Sequence, residues 1–300
     1  MLFYKTKYGT TKHYSTDILV AQEIHRISAS KSTTVHDVYL SRKSPVAEPV
    51  LKTDGEDYYF KVLPLKKEDE VNQISFFVSG CSGSGKSHFV GELIGRLQRE
   101  SPYYSSEETK AEKKEREKKQ KETGKDIEPD KFPVYIVSGQ PIDTDDMAFK
   151  KNIKEYIKID INHPEFLSLS WTDFKHSIVI FDDITAIEDD AIQKHILKIQ
   201  KSILQNARKS EIISVNIGHT LQDYLKTKYI IDESVYITIY PQSDIDACRN
   251  FLSNKLGFVR EKVEKLLDLD TRALTLYRHY PQMYFSDYEL GLLHPKKKML

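Results

Sequence analysis

The chain has 300 residues, 39% of them hydrophobic, and its 45 basic and 45 acidic residues leave a formal net charge of zero. That length suits one sizeable domain with appendages or two small ones, and the balanced charge does not mark a nucleic-acid binder, although local patches could. No run approaches the roughly 18 to 20 apolar residues that span a bilayer, and the opening residues lack the apolar core of a signal peptide, so a soluble intracellular protein without membrane contact is expected.

The first seventy residues mix short β-prone runs, such as Tyr58 to Leu63, with Ser/Thr-rich and Pro-containing stretches. They are expected to form a small accessory region of their own, 1–70. A different regime begins at Ile74, where ISFFV is a continuous apolar run entering a Gly/Ser-rich turn, the pattern of a buried parallel strand feeding a helix. The helix is expected from about Lys86 to Arg99, with Phe89, Leu93, Ile94 and Leu97 as its apolar stripe.

From Glu107 to Asp126 nearly every residue is charged, with both signs interleaved and no apolar face. This insertion, at about 105–130, cannot join a core; it reads as a solvated helical or disordered segment, or as a contact for a partner or nucleic acid. VYIVS after Pro133 is the next buried-strand candidate, a short strand is expected between Ile153 and Ile161, and SIVIFDDI from Ser177 to Ile184 is the third strong strand signal. Asp190 to Ala207 has Ile192, Ile196, Ile199 and Ile203 at helical spacing. Ile212 to Gly218 and Val235 to Tyr240 are two more β-rich runs.

Beyond Pro241 a helical pair around Ala247 to Leu267 and a hairpin with strands Ala273 to Tyr277 and Gln282 to Phe285 are expected. Strands alternating with helices in this way predict an α/β fold, a mainly parallel sheet covered on both faces. The expected division is an accessory region 1–70, a core 71–250, and a C-terminal unit 251–300 completing it.

Gly80 to Ser87 reads GCSGSGKS and fits GxxxxGK[ST], the Walker A pattern, directly after a strand and directly before a helix. Glycines let the loop bring backbone N–H groups around phosphates, and the helix N-terminus adds partial positive charge. Gly80, Cys81, Ser82, Gly83, Ser84, Gly85, Lys86, Ser87 and His88 are therefore the candidate nucleotide-binding residues. Lys86 is placed to bridge the β- and γ-phosphates of ATP, and Ser87 to supply a hydroxyl ligand to Mg²⁺. Cys81 and Cys248 are the two cysteines, too few for a disulfide framework or a zinc site.

The second half of such a site is an acidic strand end, the Walker B position. Asp182 follows Ile178 to Phe181 and is the candidate Mg²⁺-side carboxylate; Asp183 is the candidate to polarise the attacking water, with Glu188 in reserve. These features suit a small-molecule kinase as well as a motor ATPase. A kinase needs a lid and an acceptor pocket, whereas here another strand follows and ends in His219, the candidate sensor of the γ-phosphate.

On GCSGSGKSHFV, IVIFDDI, NARKSEIISVNIGHTLQDYLKTKYIIDESVYITIYPQ and TRALTLYRHYPQMYF the chain resembles the genome-packaging ATPases of giant viruses, poxviruses and virophages, in the FtsK/HerA division of P-loop NTPases. The likeness runs from about Ile74 to the C-terminus and leaves out the first seventy residues. It implies an ATP-driven translocase of double-stranded DNA, a ring of identical subunits, capsid proteins as further partners, and residence in a viral factory or virion. Arg208 is then a candidate arginine finger or inter-subunit contact. Lys228 stands where arginine is expected, and His219 where many relatives of the wider division have glutamine. A cellular or plasmid DNA pump, a nucleoside kinase, and a switch or scaffold that moves nothing are the alternative readings.

Overall fold

The computed structural model describes residues 18–26, 33–40, 50–52, 59–60, 74–100, 114, 117–118, 120–121, 132–141, 147–221, 224–279, 282–286 and 289–293. Within the first seventy residues, β1 (Ile18–Arg26) and β2 (Thr33–Leu40) pair antiparallel. β3 (Val50–Lys52) and β4 (Tyr59–Phe60) follow, and β4 pairs with the other edge of β1. The charged stretch Glu107 to Asp126 lies outside the described residues apart from helical positions at 114, 117–118 and 120–121.

The core is laid down as β5 (Ser75–Ser79), α1 (Lys86–Glu100), β6 (Val134–Ser138), α2 (Met147–Asn152), β7 (Ile157–Lys158), β8 (Ser177–Asp182), α3 (Asp190–Ser210), β9 (Ile212–Gly218), α4 (Tyr224–Glu233) and β10 (Tyr236–Ile239). It continues with α5 (Ile245–Asn250), α6 (Arg260–Leu267), β11 (Leu274–Tyr277), β12 (Met283–Phe285) and β13 (Glu289–Leu292). One ten-stranded sheet runs in the order β3-β13-β12-β11-β10-β5-β9-β8-β6-β7. From β10 to β7 every neighbouring pair is parallel, while β11, β12, β13 and β3 add antiparallel at the other edge.

The parallel strands are apolar throughout because both faces are covered. Phe76 and Val78 point to the side where Val90, Leu93, Ile94 and Leu97 of α1 pack, with Ile178, Ile180 and Val215 from neighbouring strands. Phe77 turns to the opposite face, into a cluster with Ile237, Ile239, Leu252 and Leu266. Ile196, Ile199 and Ile203 of α3 cover Val179 and Phe181 on that same side of the sheet. Each such side chain removed from water contributes on the order of 2 kcal/mol, which is why the three- and four-residue spacings on α1 and α3 select the helix.

A polar network crosses this apolar layer. The Gln200 Nε2 amide donates to Asn216 Oδ1 at 2.7 Å, and Asn216 Nδ2 donates to the Phe76 carbonyl and to Ser214 Oγ, both at 3.1 Å. The Tyr229 hydroxyl donates to Gln200 Oε1. Helices α3 and α4 are thereby tied to the middle of β9.

Several elements differ from the sequence expectation at their ends. Helix α3 runs on through Arg208 to Ser210 and stops where Glu211 takes a φ of 52°, because a polar run does not end a helix until a residue leaves helical geometry. The strand expected within 153–161 is only Ile157–Lys158. The helical pair is joined by a π-helical turn, Phe251–Lys255. The C-terminal hairpin gains β13, to which β3 from the first seventy residues pairs. Among the described residues no helix is long and apolar enough to cross a membrane.

Candidate nucleotide site

Parallel strands place all their C-terminal ends along one rim of the sheet, where ligands of open α/β sheets bind. The register aligns three of those ends: Ser79 of β5 pairs with Gly218 of β9, and Asp182 of β8 pairs with Ile217 of β9. Strand β9 therefore stands between the loop strand and the acidic strand. Its tip residue, His219, sits between Lys86 and Asp183.

The loop from Gly80 leaves β5 with the Gly80 amide donating to the Gly218 carbonyl at 3.3 Å. Gly83 and Gly85 take φ values of 78° and 102°, which side chains rarely tolerate. Gly80 is glycine for a different reason: an added Cβ would lie 2.8 Å from Ser84 Oγ. The loop closes into α1, whose first residues are Lys86 and Ser87, followed by His88, which is exposed and 3.7 Å from Glu92. Cys81, Ser82 and Gly83 form the exposed crown of the loop.

Lys86 is buried, and its ammonium donates to the carbonyls of Gly80 at 2.7 Å and Cys81 at 2.9 Å. Burial pushes its pKa down; the charges of Asp182, then Cys81 and Asp183, act in the opposite direction. His219 Nδ1 lies 3.5 Å from the same ammonium, and His219 Nε2 lies 2.8 Å from Asp183 Oδ1. An ammonium has only donors to offer, so His219 Nδ1 can only accept from Lys86, while Nε2 faces the Asp183 carboxylate.

Asp182 is buried at the end of β8. Asp183 follows in left-handed geometry, φ 57°, a conformation that costs an L-residue roughly 1–2 kcal/mol but that aspartate accepts better than most. The turn is stabilised by the Ala186 amide donating to the Asp183 carbonyl at 3.0 Å. Gly139, at the end of β6, makes room for it, since a Cβ there would lie 2.7 Å from the Asp183 carbonyl oxygen. Sequence reasoning passed over Gly139; its one signal was a glycine directly after a buried strand.

Glu188 is exposed in the loop ahead of α3 and takes no part in the contacts among Lys86, His219 and Asp183. Arg208 lies in the last turn of α3, and its side chain is outside the described residues. Lys228 is exposed on α4.

The residues present fit a bound nucleotide. The Ser84 and Ser79 hydroxyls are buried beside the loop with no hydrogen-bond partner among the described residues, as expected of groups that await a polar ligand. Backbone amides of the loop and the Lys86 ammonium would hold the phosphates, and Ser87 and Asp182 are the residues that would hold Mg²⁺. A bound Mg²⁺ supplies neutralisation of phosphate charge.

A parallel sheet whose inner strand enters a Walker A loop and its helix, with an acidic strand tip beyond one intervening strand, defines the P-loop NTPase fold. No protein-family model matches the chain. Uncharacterized protein V3 of the Sputnik virophage is 28% identical over 121 residues, 40% of this chain, so the chain matches about half (49%) of that relative's length. Among solved structures, the DNA-packaging ATPase B204 of Sulfolobus turreted icosahedral virus is 13% identical with a TM-score of 0.42, covering 76% of this chain and 100% of B204. B204 of Sulfolobus turreted icosahedral virus 2 with ATP-γS is 10% identical, TM-score 0.41, covering 71% and 96%. The pCW3 conjugation coupling protein TcpA with ATP-γS is 11% identical, TM-score 0.46, covering 90% and 77%.

Proposed function

We propose that the chain is an ATPase that translocates double-stranded DNA and packages a viral genome. One observation carries the ATPase reading: the Lys86 ammonium, the His219 imidazole and the Asp183 carboxylate form a chain of contacts across the ends of β5, β9 and β8. Lys86 at the phosphates, Asp183 toward the attacking water and His219 between them form a unit that can couple the presence of a γ-phosphate to the position of the base. A bound γ-phosphate would draw the Lys86 ammonium away from the Gly80 and Cys81 carbonyls and so alter the cationic neighbour of His219. The strand tip then reports the nucleotide state to α4 through the Asn216–Gln200–Tyr229 network behind it.

Helix α4 adjoins this relay, its Thr227 and Ile230 lining one cavity with His219, so the state of the site reaches a neighbouring element as a motor requires, whereas a kinase needs a lid and an acceptor pocket. The packaging reading draws on the motif resemblance from Ile74 onward, and its viral setting on the virophage relative. DNA contacts of such a motor go mostly to phosphates and are sensitive to salt rather than sequence. A ring of identical subunits, with Arg208 of one subunit acting at the site of the next, completes the reading, and capsid proteins are its further partners.

The test is the ATPase rate of the purified chain with and without duplex DNA across a salt series. Stimulation that fades as salt rises supports the motor. A rate indifferent to DNA at every salt concentration overturns translocation and leaves a switch or scaffold. Mixing Arg208→Ala with Lys86→Ala subunits tests the ring: recovered DNA-stimulated turnover above either variant alone supports Arg208 in trans, and its absence in assembled mixtures overturns it.

A further inference from the structure

Strand β11 runs opposite to the parallel strands, so its first residue lies at the rim where theirs end. Leu274 pairs with Ile239, and Ile239 pairs with Ser79, the last residue before the phosphate loop. Two residues ahead of Leu274, Arg272 is thereby carried onto the loop from 188 residues away in sequence. Its Nε donates to the Ser84 carbonyl at 3.1 Å. A Cβ on Gly85 would lie 2.9 Å from Arg272 Nη2 and 3.1 Å from Cζ, so the guanidinium lies against the loop where glycine leaves space for it. Thr271, buried beside it, fixes the approach by donating its hydroxyl to the Ala273 carbonyl at 2.8 Å.

The two flanks of the loop are chemically different. His219, Asp182 and Asp183 stand on the β9 and β8 side, and Lys86 turns toward them. Arg272 stands on the β10 and β11 side, exposed to solvent. A nucleoside triphosphate whose γ-phosphate meets His219 and Asp183 has to direct its nucleoside end away from that flank.

We propose that Arg272 is a nucleotide-contact residue of the same chain, its guanidinium laid over the nucleoside end of the bound nucleotide rather than over the terminal phosphates. The inference rests on the nucleotide-binding reading of the loop and adds to it the residue that receives the base. A guanidinium is planar and weakly hydrated and stacks on an aromatic face, so it suits a base held at the solvent edge. Such stacking does not read base edges, so adenine and guanine nucleotides are both accepted.

The test is calorimetric titration of the full chain with Mg²⁺–ADP and, separately, with Mg²⁺–pyrophosphate, which lacks the nucleoside. Arg272→Ala is expected to weaken ADP about 3- to 10-fold, the scale of one stacked cation at an exposed site, and to leave pyrophosphate within about twofold. Arg272→Lys keeps the charge and loses the planar face, and is expected to follow the alanine variant. Equal weakening of both probes overturns the inference, because Arg272 then acts through the loop or through charge alone. Unchanged ADP affinity overturns it as well. Failure of the wild-type chain to bind either probe, or undiminished binding by Lys86→Ala, overturns the nucleotide-binding reading and this inference with it.

Discussion

His219 Nε2 lies 2.8 Å from Asp183 Oδ1, which joins the tip of β9 to the residue after β8 by one close polar contact. With Asp183 proposed as the base, this contact holds in place a carboxylate one methylene shorter than that of glutamate. Asp183→Asn is expected to bind ATP and to lose roughly 10²-fold or more in turnover, the scale of a removed base. His219→Ala is expected to bind ATP within about threefold and to lose about tenfold or more in turnover through lost orientation. Single-turnover hydrolysis beside equilibrium binding separates the two effects. Glu188→Gln should stay near wild type; if that variant shows the large loss instead, the base is Glu188.

The backbone of Asp183 rests against Gly139, and the closeness of that contact makes Gly139→Ala a probe of Asp183 without touching it. A methyl group 2.7 Å from the Asp183 carbonyl has to displace the turn that aims the carboxylate. Turnover should fall by about 10²-fold while pyrophosphate binding at the loop persists. Full turnover in this variant would show that the turn tolerates movement and that Asp183 does not need its observed position.

Lys86 links the nucleotide-free protein to pH. Burial holds its pKa below the ordinary 10.5, so in the window beneath 10.5 the unfolded chain binds more protons at this position than the folded chain. Stability from this group therefore rises with pH through that window. Thermal melts of wild type and Lys86→Met between pH 8 and 10.5 should show the wild type gaining on the variant as pH increases. Tyr277 and Tyr229, whose hydroxyls burial pushes up, act in the opposite direction but equally in both proteins. A constant difference in Tm across the range would remove the case for a desolvated Lys86.

The two cysteines should behave oppositely toward a thiol reagent. Cys81 is exposed on the crown of the loop, whereas Cys248 is buried and its thiol is pushed up to about 12, first by burial and then by the charge of Asp244. Native protein should label once, at Cys81, and Mg²⁺–ADP should slow that labelling. Peptide mapping identifies the site, and labelling that is indifferent to nucleotide would place the bound phosphates away from Cys81.

The loop, its lysine and the acidic strand end were legible without a structure because each is local: Gly80 to Ser87 carries its own geometry, and Ile178 to Asp183 announces a buried strand by composition. The parallel core was legible for the same reason, since Phe76, Val78, Ile196, Ile199 and Ile203 reveal their periodicity in short windows. Tertiary structure alone decided which strand ends meet. That β9 stands between β5 and β8, so that His219 touches both Lys86 and Asp183, is a matter of strand order, and no window of sequence spans it. Arg272 and Gly139 were illegible on the same ground, because the loop carbonyl that one holds and the turn that the other admits come from segments distant in the chain. Sequence determines which residues form strands, helices and the phosphate loop, since those depend on neighbours a few positions away; long-range register determines which side chains share a site, since it depends on how the whole sheet assembles.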